Sequence, residues 1–294
     1  MPAARGRRRE CCLNYRHAFH AGNFADVLKH AVLVRILLYL HGKDTALRVI
    51  DTHAGAGRYD LTSAPAIKTG EWREGIGRLL GAPPSGETGE LLAPYLSLVR
   101  SENPGREIAT YPGSPAIALA LARPQDRLIF CERHPEDRHA LAAAVGRDRR
   151  AKAIEIDGWT ALKAYVPPPE RRGLVLIDPP FEEEDEFRRI ERGLAEVHTR
   201  WANGTVLVWY PVKDPRETDA FARRVARLRI PKILRVELAV RPPQTGETRL
   251  HACGLLVVNP PWVLARELAQ LMPALAHILG GASAGRHRVD WIAA

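Results

Sequence analysis

The feature that most constrains this chain is a run of short apolar segments, each closed by an acidic residue or a turn and separated by helical patterns. The apolar segments lie at residues 46–50, 127–131, 153–156, 173–177 and 205–210. Helical periodicity occupies 114–122, 136–145, 184–199 and 214–228. Strands that are apolar along their whole length need cover on both faces. Alternation with helices supplies it, so the pattern predicts an α/β fold with a mostly parallel sheet. An additional helix at 24–40 precedes the first strand, and runs at 232–240 and 250–258 flank a Pro-Pro-Gln-Thr-Gly-Glu loop. That last spacing predicts an antiparallel pair at the sheet edge.

One stretch breaks the alternation. From about residue 59 to about 112 the chain runs helical and loop-rich without a clear strand, with its helical pattern concentrated at 91–100. It reads as a helical insertion after the first strand unit. The domain organisation expected is therefore a basic extension over residues 1–12 and one domain over 13–294 that carries the insertion.

Ligands of such sheets bind at the carboxyl ends of the strands, so residues just past each apolar run are the candidates for chemistry. The first run ends in Asp51-Thr-His53-Ala-Gly55-Ala-Gly57. Its glycines let the backbone approach a ligand, and the position of a third dinucleotide-type glycine is taken by Asp60. Glu132 ends the second run, where an acidic side chain can accept both hydroxyls of a ribose. Asp157 and Gly158 end the third and are placed to contact the adenine amine of the same nucleoside.

The sharpest signal is Asp178-Pro179-Pro180-Phe181 at the end of 173–177. Two prolines fix a rigid extended loop. An exocyclic adenine amine is a weak nucleophile because its lone pair delocalises into the ring. A carboxylate from Asp178 and the carbonyl of Pro179 can accept its two hydrogens and aim the lone pair at a sulfonium methyl. Phe181 offers an apolar face for a base swung out of its stack. A capped strand end is the structural alternative. Asn259-Pro260-Pro261-Trp262 has the same form, but it follows a run placed at the antiparallel edge, away from the expected crevice.

The chain has a formal net charge of +9, which favours a polyanionic partner. Candidate phosphate contacts are Arg147, Arg149, Arg150, Lys152, Arg171 and Arg172, with a second run at Arg223, Arg224, Arg227 and Arg229. About half of these are expected only to solvate a face. The four cysteines show no zinc or redox spacing, and the histidines of the first part lack thiolate or carboxylate partners at ligand spacing. No metal site, no membrane segment and a cytoplasmic location are expected.

The block Tyr15-Arg-His17-Ala-Phe-His20-Ala-Gly22-Asn23-Phe-Ala-Asp26-Val-Leu-Lys29-His30, with the Asp51–Gly57 turn and Asp178-Pro-Pro-Phe, resembles the bacterial family of large-subunit ribosomal RNA methyltransferase J. The likeness extends through Tyr111-Pro-Gly-Ser114-Pro, Trp209-Tyr-Pro-Val and Asn259-Pro-Pro-Trp. It implies a Rossmann-like class I methyltransferase that uses S-adenosylmethionine and no metal to make N6-methyladenosine in 23S ribosomal RNA. It also implies that His30, His53, Ser114, Glu132, Asp157, Gly158 and Asp178 line the cofactor site, with Gly55 in the turn beside them. Asp178 is then the catalytic acceptor. Tyr15 and Lys29 are expected on the RNA-contacting surface, and the insertion corresponds to the family's small helical subdomain. The implied RNA is protein-free or an early assembly intermediate, and the implied enzyme is a monomer.

Two positions depart from the family pattern. Phe181 stands where the family usually has Tyr, which keeps a stacking face and loses a hydroxyl. Residues 1–11 extend past the usual start, with Cys12 where the initiator Met would fall. Other readings stay open on the residues alone: the Asp-Pro-Pro-aromatic motif serves DNA adenine as well as RNA, and basic charge alone fits a non-catalytic RNA-binding protein.

Overall fold

The computed structural model describes residues 16–105, 107–243, 249–283 and 285–293. Tyr15, the expected extension over 1–12 and the tip of the loop after residue 243 lie outside the described residues.

Helix α1 (Phe24–His41) begins at Asn23, whose side-chain oxygen accepts the backbone N–H groups of Ala25 and Asp26. Strand β1 (Arg48–Asp51) follows, and then a small antiparallel pair, β2 (Arg58–Asp60) with β3 (Thr110–Pro112). Between those two strands lie α2 (Ala64–Thr69), α3 (Arg78–Gly81) and α4 (Gly86–Ser101). The stretch read as strandless therefore has a strand at each end. Three residues apiece are too few to leave a periodic signature in sequence.

The alternation then runs as α5 (Ser114–Leu121), β4 (Arg127–Cys131), α6 (Pro135–Val145), β5 (Ala151–Ile154), α7 (Gly158–Tyr165), β6 (Gly173–Ile177), α8 (Glu186–Arg200), β7 (Thr205–Pro211) and α9 (Pro215–Arg227). The chain closes with β8 (Ile233–Ala239), β9 (Ala252–Val258), α10 (Leu264–Gly280) and β10 (Arg286–Ala293). Strand β5 starts two residues before the expected run, because its solvent-facing Lys152 interrupts the apolar pattern.

The main sheet has the order β10-β8-β9-β7-β6-β1-β4-β5. Strands β7, β6, β1, β4 and β5 are mutually parallel, and β9 is antiparallel to both β7 and β8. The expected antiparallel pair exists but is not the edge. The edge is β10, whose sequence Arg-His-Arg-Val-Asp-Trp-Ile-Ala has no apolar run to announce it. Every residue of β6 and of β9 is buried, which is why both read as continuous apolar segments. Side chains alternate between two cores. Val49 joins the core containing Leu28 of α1 and Leu271 of α10, whereas Ile50 joins the core containing Ile190 of α8 and Phe221 of α9. Among the described residues no helix is long and apolar enough to cross a membrane.

Candidate active site

Parallel strands deliver their carboxyl ends to one side of the sheet, and the chain places Asp51, Glu132, Asp157 and Asp178 there, at or just past the ends of β1, β4, β5 and β6. A cavity of about 580 Å³ opens at that side. It is lined by His30, His53, Gly55, Ser114, Glu132, Asp157, Gly158, Asp178, Pro179 and Phe181, together with Lys29. Residues from all four strand ends singled out in the sequence are therefore brought to one space, whereas Gly57 of the first turn does not line it.

The half of the cavity beneath β1, β4 and β5 has the form of a nucleoside site. Glu132 Oε2 accepts the Gly55 N–H at 2.8 Å and Oε1 accepts the His134 N–H at 2.7 Å. Those bonds fix the carboxylate in place and leave further lone pairs free. Burial pushes its pKa up, while the two backbone donors pull it back. Gly55 has φ +61°, and a Cβ there would lie 2.1 Å from Tyr59 Oη. At Gly158 a Cβ would lie 2.5 Å from the Thr52 carbonyl oxygen and 2.6 Å from His53 Cε1. Glycine at both positions is thus required by the packing of the cavity wall itself, which brings Tyr59, Thr52 and His53 against the backbone. Asp157 caps α7 by accepting the Thr160 N–H at 2.9 Å.

His30 is 1% exposed and accepts or donates through Nδ1 to Tyr111 Oη at 2.7 Å, while its Nε2 has no protein partner. Burial lowers its pKa to about 3, so the ring is neutral. His53 is likewise lowered by burial to about 4, and its Nδ1 lies 2.8 Å from Thr52 Oγ1. Ser114 donates from Oγ to Asp51 Oδ2 at 2.6 Å. Asp51 is almost wholly buried, and burial raises its carboxyl to about 7. Two neutral imidazoles and the Ser114 hydroxyl, beside the fixed Glu132 carboxylate, make a polar wall that fits an adenosyl group.

The other half of the cavity is organised around Asp178. Lys29 Nζ lies 2.5 Å from Asp178 Oδ2 and 2.9 Å from Asp26 Oδ1. Asp26 in turn accepts from His17 Nε2 at 2.9 Å and from the Gly22 N–H at 2.9 Å. Lys29 is only 4% exposed, so it is placed in the acceptor site rather than on an outer RNA-facing surface. Burial disfavours its charge, but the Asp178 and Asp26 carboxylates more than offset that and hold the ammonium pKa well above the usual lysine value. A pairing across 149 residues leaves no sequence signal. Phe181, at φ 52°, sets its ring edge to face against Phe187 at 5.1 Å and Trp209 at 5.8 Å. Trp209 at the end of β7 also lines the cavity, a contribution that the sequence reading quoted in a motif but did not assign.

The second Pro-Pro motif is separated from this site by strand direction. Because β9 is antiparallel to β7, Val258 pairs with Val206 near the start of β7, and Asn259 emerges at the opposite end of the sheet.

A family model described as ribosomal RNA large subunit methyltransferase D, RlmJ, matches residues 44–293. Ribosomal RNA large subunit methyltransferase J of Haemophilus influenzae is 41% identical over 281 residues, covering 95% of this chain and 99% of that protein. The protein of the same name from Escherichia coli is 41% identical over 280 residues, with 95% and 99% covered. The crystal structure of a Legionella pneumophila protein superposes with a TM-score of 0.84 at 33% identity, covering 92% of this chain and 98% of that one.

Proposed function

The chain belongs to the family of ribosomal RNA large subunit methyltransferase J, and from that premise we propose that it methylates the N6 amine of one adenine in 23S ribosomal RNA. S-adenosylmethionine is the methyl donor, and when bound it supplies an electrophilic methyl on a positively charged sulfur.

The observation that carries the adenine reading is the acceptor end of the cavity. Asp178, Pro179 and Phe181 line the same space as the nucleoside-shaped wall formed by Glu132, Gly55 and Gly158. Lys29 engages one oxygen of Asp178, which leaves the other oxygen to accept an amine hydrogen. The Pro179 carbonyl is the second acceptor. With both hydrogens held, the nitrogen lone pair is freed from the ring and directed at the donor. Phe181 and Trp209 give apolar surface on which the target base rests, since the base must leave its stack to reach so enclosed a site.

A DNA adenine substrate shares the motif, but both named relatives act on ribosomal RNA by name. In this reading the substrate is protein-free or early-assembly RNA in the cytoplasm. Incubation with labelled S-adenosylmethionine and deproteinised 23S ribosomal RNA tests this reading. Transfer to a single adenine that is lost in Asp178→Ala supports it, and transfer unaffected by that change refutes it.

A further inference from the structure

The arginines that cluster in sequence at 147–150 and 171–172 lie at the same end of the sheet, opposite the cleft. There, four neighbouring parallel strands start on arginine. Arg172 immediately precedes β6, Arg48 opens β1, Arg127 opens β4 and Arg150 immediately precedes β5. The row spans about 14 Å at the usual strand spacing.

Part of that row serves the fold. The helices that return from the cleft end on this side and expose their last carbonyls. Arg172 donates to the carbonyl oxygens of Leu40 and Thr45 after α1, and Arg150 donates to those of Ala122 and Leu119 at the end of α5. Arg48 pairs with Glu170 at 2.8 Å and Arg150 with Asp148 at 2.6 Å.

A second group has no such employment. Arg147, Arg149, Arg171 and Lys232 are exposed, and among the described residues their side chains form no ion pair. At the Lys232 side of this end stands an aromatic residue that the fold does not bury, Trp262 at 81% exposed, five strand spacings or about 24 Å from the start of β5, where Arg147 and Arg149 lie. Its loop is held at this end by Asn259, whose N–H donates to the Lys232 carbonyl at 3.0 Å and whose Nδ2 donates to the carbonyls of Ala202 at 2.8 Å and Gly204 at 2.9 Å. This arrangement explains the second Pro-Pro motif without giving it chemistry: it anchors a loop that presents an indole on the Lys232 side of this end.

We propose that this end of the sheet is a second ribosomal RNA surface, on which Arg147, Arg149, Arg171 and Lys232 contact phosphates and Trp262 stacks on an unpaired base. The inference rests on ribosomal RNA being the substrate. Because the surface and the cleft lie at opposite ends of the strands, only an RNA long enough to pass around the molecule reaches both. The surface thus selects long, folded RNA and leaves chemistry on a short one unchanged.

The test compares two acceptors, full-length deproteinised 23S ribosomal RNA and a hairpin of it carrying the unmethylated target adenine. The proteins are the full chain, the triple variant Arg147→Glu/Arg149→Glu/Lys232→Glu, the matching triple lysine-and-arginine swap (Arg147→Lys/Arg149→Lys/Lys232→Arg), and Trp262→Ala. The charge-reversed variant should raise KM for the long RNA by roughly tenfold or more with kcat unchanged, and should flatten its salt dependence. The charge-keeping swap should stay near wild type, Trp262→Ala should raise the same KM, and KM for the hairpin should not move. An unchanged KM for the long RNA, or an equal rise on both acceptors, overturns the proposal. Absence of transfer by the wild-type chain on either acceptor would instead refute the proposed function.

Discussion

Lys29 Nζ and Asp178 Oδ2 stand 2.5 Å apart at the floor of the cleft, joining the first helix to the loop after β6. The ammonium also reaches the buried Asp26, so two carboxylates share one cation. That pairing makes the acceptor carboxylate part of the fold as well as of the chemistry.

Lys29→Met should therefore cost stability, by about 3–5 kcal/mol, because it leaves Asp178 without its counter-charge and Asp26 with His17 alone. The pH dependence has a definite sign. The Lys29 pKa is raised on folding, so its contribution is complete below the ordinary lysine value and is lost only as pH rises beyond it. Asp26 is opposed by burial but lowered overall by His17 and Lys29, so its contribution is present above the ordinary carboxylate value and is lost as pH falls through its lower folded value. Denaturant titration at pH 7 checks the prediction. A loss under about 1 kcal/mol would contradict it.

Asp51 gives the opposite trend. Burial raises its pKa to about 7, so the protonated form is the one the fold favours. Its contribution is greatest below about pH 4 and is lost as pH rises to 7. Asp51→Asn keeps an acceptor for the Ser114 hydroxyl, which can also turn to accept from the new amide. The variant should be more stable than wild type at pH 8, on the order of 1–4 kcal/mol, with the gap closing toward pH 4. Thermal unfolding of the ligand-free protein across that range measures it, and a gap independent of pH would count against the buried carboxylate.

The walls of the nucleoside half are tested by Gly158→Ala. The added methyl meets the Thr52 carbonyl and the His53 ring, so it must displace the wall that those two residues form. S-adenosylmethionine should bind roughly ten- to hundredfold more weakly, with RNA affinity unchanged. Calorimetry of cofactor binding reads this directly, and unaltered affinity would move the adenosyl group elsewhere.

Phe181→Ala removes the ring that packs edge-on against Phe187 and Trp209. Loss of a stacking surface for the target base should reduce kcat/KM for RNA by roughly ten- to hundredfold while cofactor binding holds. Phe181→Tyr should restore activity, since it keeps the ring.

Much of this was legible in the chain before the fold was known, for a physical reason in each case. Strands β1, β4, β6 and β7 are buried along nearly all their length, so they read as apolar runs, and the acids that end them at Asp51, Glu132 and Asp178 mark the ligand side. What escaped were elements without that contrast. Helix α10 carries Pro273 within it, and β10 is largely solvent-facing. Strands β2 and β3 are too short to show a period. The Lys29–Asp178 pair and the exit of Asn259 at the far end depend on pairing and strand direction, which no local pattern encodes.

The central claim is that Asp178 accepts from the adenine amine of ribosomal RNA during methyl transfer. The most direct measurement is digestion of deproteinised 23S ribosomal RNA after reaction with labelled S-adenosylmethionine, comparing wild type with Asp178→Ala. Label recovered as N6-methyladenosine at one site, falling by at least roughly 10²–10³ in the variant while cofactor binding persists, is the predicted result. Label on another atom or base, or an Asp178→Ala enzyme as active as wild type, would contradict it.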